Sequence, residues 1–191
     1  MKGPFAPPEG ADAKKAAKGG DKGDKDEREF TTKEPSAFHS VELKGLLPAT
    51  TYAYVVSAGD AKSAEGHFTT APADVRPFHF LLYGDNRTDA TAHAAIVKAM
   101  LNAPGDFLLH TGDMVHEGDN DRDWTDFFGI EAQLLRDRCI FSSIGNHELI
   151  GSGAPPWLRY FHPGSRSGPR GLFDSTRWSN ARFFFLNAMV P

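Results

Sequence analysis

Cysteine is nearly absent from this sequence: Cys139 stands alone among 191 residues, which excludes an internal disulfide and leaves the redox compartment open. It heads an apolar run, where a small buried hydrophobe is a commoner role than a nucleophile. No apolar stretch is long enough to span a membrane, so no membrane partner is expected. The opening MKGPFAPPEG lacks the apolar centre of a secretion signal. Positive charge is also short, with 21 Lys and Arg against 25 Asp and Glu, a net charge of -4 and a pI near 6.0. A nonspecific nucleic-acid binder needs the opposite balance to displace counterions from phosphates, so no nucleic-acid partner is expected. A Gly-rich phosphate loop is missing after the first strand of the second half, which argues against a nucleotide-binding domain.

What remains is a globular composition, 40% hydrophobic and 24% charged with 19 Gly and 13 Pro, carrying a polar extension. Residues 1–35 hold Pro and Gly and then the charged run KKAAKGGDKGDKDERE. Such a segment buries too little apolar surface to offset its ordering entropy and is expected to be disordered. From position 36 the pattern turns to period two. FHSVELK alternates through Val41 and Leu43, TYAYVVSA through Tyr52, Tyr54 and Val56, and SAEGHFTT closes a third candidate strand. Leu46, Pro48 and Tyr52 look like the corner of a fibronectin type III sandwich, so residues 36–71 read as a partial segment of that kind. His39 and His67 lack partners at ligand spacing and read as surface or edge residues. Residues 72–77, PADVRP, read as a linker.

The domain from 78 to 191 is organised around DFLLHTGDMVHEG. Phe107, Leu108 and Leu109 predict a short strand, and Gly112 frees the turn that sets Asp113 at its carboxyl end, where open α/β sheets place ligands. FHFLLYGDNR likewise puts Asp85 and Asn86 after a strand, and CIFSSIGNHE puts Asn146, His147 and Glu148 after another. Between them, Thr88 and Asp89 are candidate caps of a helix with Ile96, Val97, Met100 and Leu101 on one face and His93 toward solvent. Asp121 or Asp123 can cap a second helix through Phe127, Ile130, Leu134 and Leu135, packed with Trp124 and Phe128. The acidic cluster Asp119, Asp121, Asp123 and Asp126 lacks an EF-hand's glycine and terminal glutamate, so capping is its better account. Strand, helix, strand, helix, strand predicts parallel strands. The stretch GSGAPPWLRYFHPGSRSGPRG reads as a long loop carrying Trp157, Tyr160 and Phe161, and ARFFFLNAMV as a fourth apolar strand.

GDNR, GDMVHEG and GNHE, in this order and each after an apolar strand, resemble the first three blocks of the calcineurin-like metallophosphoesterases. The sandwich-like segment in front is similar to the purple acid phosphatase subgroup. The resemblance covers Phe38 to Pro191 and implies an α/β fold, a metallophosphoesterase sheet with flanking helices. It also implies hydrolysis of a phosphate ester, small-molecule or protein, by hydroxide generated at two divalent or trivalent metals about 3.5 to 4 Å apart, Fe, Zn or Mn. By similarity Asp113 bridges the metals, Asp85 is a terminal ligand of the first, and Asn146 binds the second through its amide oxygen. His147 would face the substrate phosphate and stabilise charge or protonate the leaving group, with Glu148 supporting from behind.

The sequence departs from the family at three places. Arg87 stands where many members have a histidine ligand; an always-charged guanidinium cannot bind metal but can hold a phosphate. His116 stands where the purple acid phosphatase type has a tyrosine ligand, and is expected to ligate the first metal, a supporting histidine being the alternative. The lone His and the Gly-His-x-His pair that complete the family's metal shell do not occur after Glu148, and His162, in FHPG, reads as a loop residue. By the family's template about four ligands are present and about three lacking, which reads as an incomplete, N-terminal part of the domain. The alternative is a truncated, noncatalytic chain serving as a binding or assembly module. The subgroup resemblance implies an extracellular or periplasmic protein, which this N-terminus does not support.

Overall fold

The computed structural model describes residues 13–19, 27–32, 38–161 and 172–189, and the chain divides into two units, Met1–Ala71 and Pro72–Pro191.

The first unit is an antiparallel sheet of β1 (Ala13–Gly19), β2 (Glu27–Thr31), β3 (Thr51–Ala58), β4 (Ala61–Lys62) and β5 (Gly66–Thr69). Its order is β2-β1-β3-β4, with β5 also paired to β3. Two stretches of the charged segment expected to be disordered are thus strands; β1 runs between β2 and β3 and pairs with both. Backbone pairing asks little of side-chain bulk, which is why composition conceals it. Apart from Thr32, the rest of that segment lies outside the described residues. Phe38–Lys44, expected as a strand, is not one. Val41 and Leu43 are half-buried and their neighbours exposed, as the alternation predicts, but the backbone forms no ladder. Tyr52 does tie back to the preceding turn, its hydroxyl accepting from Leu47 N at 2.8 Å, and its ring stacks on Phe68.

The second unit holds a parallel sheet, β6 (Phe80–Tyr83), β7 (Phe107–His110) and β8 (Cys139–Ser142), in that order. Phe80 is in register with Phe107 and Phe107 with Cys139. The central strand β7 is buried at all four positions, as a strand covered on both faces must be. Helix α1 (Ala90–Leu101) is capped by Asp89, which accepts from Thr91 N and Ala92 N. Helix α2 (Asp121–Asp137) is capped by Asn120 rather than by Asp121 or Asp123. The acidic residues serve local turns: Asp123 accepts from Glu117 N at 3.0 Å and Asp119 binds the Ser152 backbone.

Each helix buries a polar residue on the face where aliphatics were expected. On α1 the buried positions are His93, Val97 and Met100, while Ile96 is exposed. On α2 they are Trp124, Phe127, Glu131 and Leu134. His93 is therefore not a solvent-side residue. Its spacing to Val97 and Met100 puts it on the buried stripe, where it stacks on Phe127.

One element replaces expected loop. Pro155–Phe161 is a helix, α3, whose Trp157 is buried, and Tyr160 packs on Trp124 with ring centroids 4.8 Å apart. His162 and its FHPG turn lie outside the described residues. The fourth apolar strand is β10 (Ala181–Phe185), but it pairs antiparallel with β9 (Asp174–Trp178). That hairpin covers the parallel sheet through Trp178 on Phe107 and Phe183 against Phe78, Phe80 and Phe107.

Candidate metal centre

Three glycines bring the strand-end loops together. A side chain at Gly84 would overlap Thr111; at Gly112, where φ is +99°, it would meet Gly145 N at 2.5 Å; at Gly145 it would overlap Asp113. The loops after β6, β7 and β8 therefore pack backbone to backbone. Asp85 N donates to Gly112 O at 3.0 Å, and His147 N to Asp113 Oδ1 at 3.2 Å. Asp85 and Asp113 are themselves left-handed, with φ of +56° and +59°. Such backbone costs about 1–3 kcal/mol per residue and persists where surrounding structure enforces it, often at functional sites.

Glu148 enforces much of it. Completely buried, its carboxylate accepts from Asp113 N at 2.9 Å, Met114 N at 2.7 Å, Val115 N at 3.3 Å and Gly145 N at 2.8 Å. It staples the loop carrying Asp113 to the loop carrying Asn146 and leaves no oxygen for a metal.

Of the other candidates, Arg87 and the His147 backbone contact Asp113 directly. Arg87 reaches both carboxylates, with Nη1 against Asp85 Oδ1 and 3.0 Å from Asp113 Oδ2. That nitrogen makes no directed hydrogen bond, so the contact is one of charge with charge. The Asp113 side chain is 16% exposed and that of Asp85 74%. Asn146 is exposed, and its amide makes no capping bond to the turn it begins, His147–Leu149. His147 Nδ1 lies 2.6 Å from the His116 carbonyl oxygen. A carbonyl only accepts, so Nδ1 carries a proton and Nε2 is the atom that can take or release one. The His116 and His147 rings are 5.3 Å apart. His116 also lines, with Arg87, Asn86, His93, Met114 and Asp126, a cavity of about 110 Å³.

Carboxylate, amide oxygen and imidazole are donors that suit hard or borderline divalent ions. The guanidinium between Asp85 and Asp113 marks a place where positive charge is already balanced by two carboxylates, so the donor chemistry fits a cation. Among the described residues, however, no three His, Cys, Asp or Glu side chains converge as a metal cluster.

Sequence reasoning missed Tyr83, His93, His110 and Glu131, and gave Asn86 no role. They form a buried hydrogen-bonded group behind Asp85 and Asp113. The signal available was helical spacing: His93 falls four residues before Val97, and Glu131 falls between Phe127 and Leu134.

Comparison with known proteins bears on fold and family. No curated protein sequence matches the chain. A solved structure of PhoD superposes with a TM-score of 0.72 at 16% identity, covering 93% of this chain and 45% of that one. Purple acid phosphatase PPD1 from yellow lupin (Lupinus luteus) seeds superposes with a TM-score of 0.65, also at 16% identity, covering 92% and 40%. This chain therefore spans less than half the length of either. The model of the calcineurin-like phosphoesterases matches residues 78–189, the whole of the sheet, helices and hairpin described above. With that match over more than half its length, the chain belongs to the calcineurin-like phosphoesterase family.

Proposed function

We propose that this chain supplies one bank of a binuclear metal centre that hydrolyses a phosphate mono- or diester. The observation that carries the reading is the convergence of Asp85 and Asp113, both in left-handed backbone, on a single cationic nitrogen. Two carboxylates held that close repel each other unless a cation lies between them. When bound, two metals neutralise the phosphate and activate water for in-line attack. From this chain Asp85, Asp113 and His116 would hold the first ion, and Asp113 and Asn146 the second. Arg87 holds the phosphate once its pairing with Asp85 is released, its fork matching two of the phosphate oxygens at once. His147, oriented by the His116 carbonyl, delivers a proton from Nε2 to the leaving oxygen.

The experiment is metal analysis with p-nitrophenyl phosphate hydrolysis, on this chain and on its Asp113→Ala variant. Bound metal together with turnover lost in the variant supports the reading. The absence of any three-residue His, Cys, Asp and Glu cluster among the described residues favours a second reading, a noncatalytic binding module. A chain that takes up no metal and turns over nothing supports that one.

A further inference from the structure

Beneath the strand-end loops runs a chain of buried polar groups that none of the roles above uses. It begins at Gly112, whose N–H donates to His110 Nδ1 at 3.1 Å. With Nδ1 accepting, the His110 proton is on Nε2, 2.6 Å from Asn86 Oδ1. That fixes the Asn86 amide, so its Nδ2 donates toward Met114 O at 3.4 Å and toward the His93 ring, 3.3 Å from Nδ1 and 3.5 Å from Nε2; because Nε2 faces the Glu131 carboxylate, Nδ1 is the acceptor. The His93 proton is then on Nε2, 2.7 Å from Glu131 Oε1, and the Tyr83 hydroxyl donates to the same oxygen at 2.9 Å. From the backbone before Asp113 to the Glu131 carboxylate, every hydrogen bond points the same way.

Three members of the chain are closed to solvent, His93, His110 and Glu131 being 3%, 2% and 0% exposed, and Asn86 is half-buried. In such surroundings aligned hydrogen bonds polarise and strengthen one another, and a missing partner is costly. Burial pushes the His110 imidazole down to about 3, which keeps it in the neutral form that both donates and accepts. The site end of the chain flanks both strained residues. Asn86 directly follows Asp85, and Gly112 directly precedes Asp113.

We propose that this one-way relay is a positioning device. By fixing the Asn86 amide and the Gly112 N–H, it holds Asp85 and Asp113 in the left-handed backbone that brings their carboxylates to one cation. His110, His93 and Glu131 are positioning residues, and their bearing on cation binding rests on the phosphoesterase reading above; the direction of the relay does not.

Two measurements on the 191-residue chain test it. Long-range ¹H–¹⁵N imidazole spectra at pH 7 should find the proton on Nε2 of both His93 and His110. Calorimetric titration with Mn²⁺ should find affinity lowered on the order of tenfold or more in His110→Phe, as for loss of other groups supporting a ligand. Glu131→Gln keeps the accepting Oε1 and should bind like the wild type. If His110→Phe fails to fold, the double variant His93→Phe with Glu131→Met replaces both partners of one link by apolar groups, a change the core can accept, and should weaken Mn²⁺ in the same sense. A proton on Nδ1 of either histidine overturns the relay. If folded His110→Phe, or the folded double variant, binds Mn²⁺ as tightly as wild type, as a merely structural role would predict, the positioning role is overturned. If the wild type binds no Mn²⁺, the metal reading fails separately; loss of the left-handed backbone shifts of Asp85 and Asp113 in the variants then supports positioning, and unchanged shifts overturn it.

Discussion

Glu148 and Glu131 are both withdrawn completely from solvent, yet Glu148 is surrounded by backbone and Glu131 by side chains. Four backbone N–H groups share the two oxygens of Glu148. Glu131 takes both its donors, Tyr83 and His93, on Oε1, while Oε2 has no partner. A carboxylate bonded to backbone fixes the course of the chain, whereas one bonded to side chains fixes their orientation. Glu148 therefore sets where the loops run, and Glu131 sets which way the groups beneath them face.

Glu148→Gln should break the first arrangement with the largest effect. An amide nitrogen would replace one oxygen and face N–H groups, donor against donor. Equilibrium denaturation should show a loss of about 3–5 kcal/mol, the range for breaking a buried charged partnership. A loss below 1 kcal/mol would mean the loops hold their course without it.

Glu148 belonged to a pattern legible in the sequence, because GNHE follows an apolar strand and its glycine announces a close approach. The three strand ends were legible for the same reason: a short apolar run, a glycine and a polar group describe one local geometry. Glu131 was not legible. A glutamate on a helix reads as solvent-facing unless its partner is known, and that partner, His93, comes from another helix 38 positions earlier. Both polar residues fall on apolar stripes, so each looked like a gap in a pattern when together they form a pair. The β9–β10 hairpin escaped for a related reason, since ARFFFLNAMV predicts a strand but not which neighbour it joins.

His110 sharpens the comparison through pH. Its folded value, about 3, lies below the ordinary 6.5, so the unfolded chain binds a proton that the folded chain refuses. Its contribution is complete above the unfolded value and declines as pH falls from about 6.5 toward 3, by ~1.4 kcal/mol per pH unit. Urea midpoints for wild type and His110→Phe should converge as pH falls from 7 to 5, because only the wild type carries this liability. Parallel curves would show that His110 is protonated as easily in the fold as out of it.

Arg87 tests the surface of the same region with a smaller effect on stability. Asp85 is mostly exposed, which discounts its pairing, and Arg87→Gln should cost on the order of 1 kcal/mol or less in metal-free buffer. Its effect on cations should have the opposite sign. With the resident guanidinium gone, Mn²⁺ should bind more tightly by calorimetry, and unchanged affinity would mean that Arg87 never competed for Asp85 and Asp113.

Glu131→Gln is the smallest expected change and the one that most directly separates the two glutamates. The amide oxygen can take the place of Oε1 and accept from both Tyr83 and His93. Its nitrogen then lies where Oε2 already had no partner, leaving donors unpaired, while an incompletely compensated buried charge is removed. These terms oppose each other at about 1 kcal/mol apiece, so the net change in a denaturation experiment should stay within about 1 kcal/mol. The same isosteric substitution thus unfolds the loops at Glu148 and is tolerated at Glu131. If Glu131→Gln were as damaging as Glu148→Gln, the charge of Glu131, rather than its single accepting oxygen, would be what the relay requires.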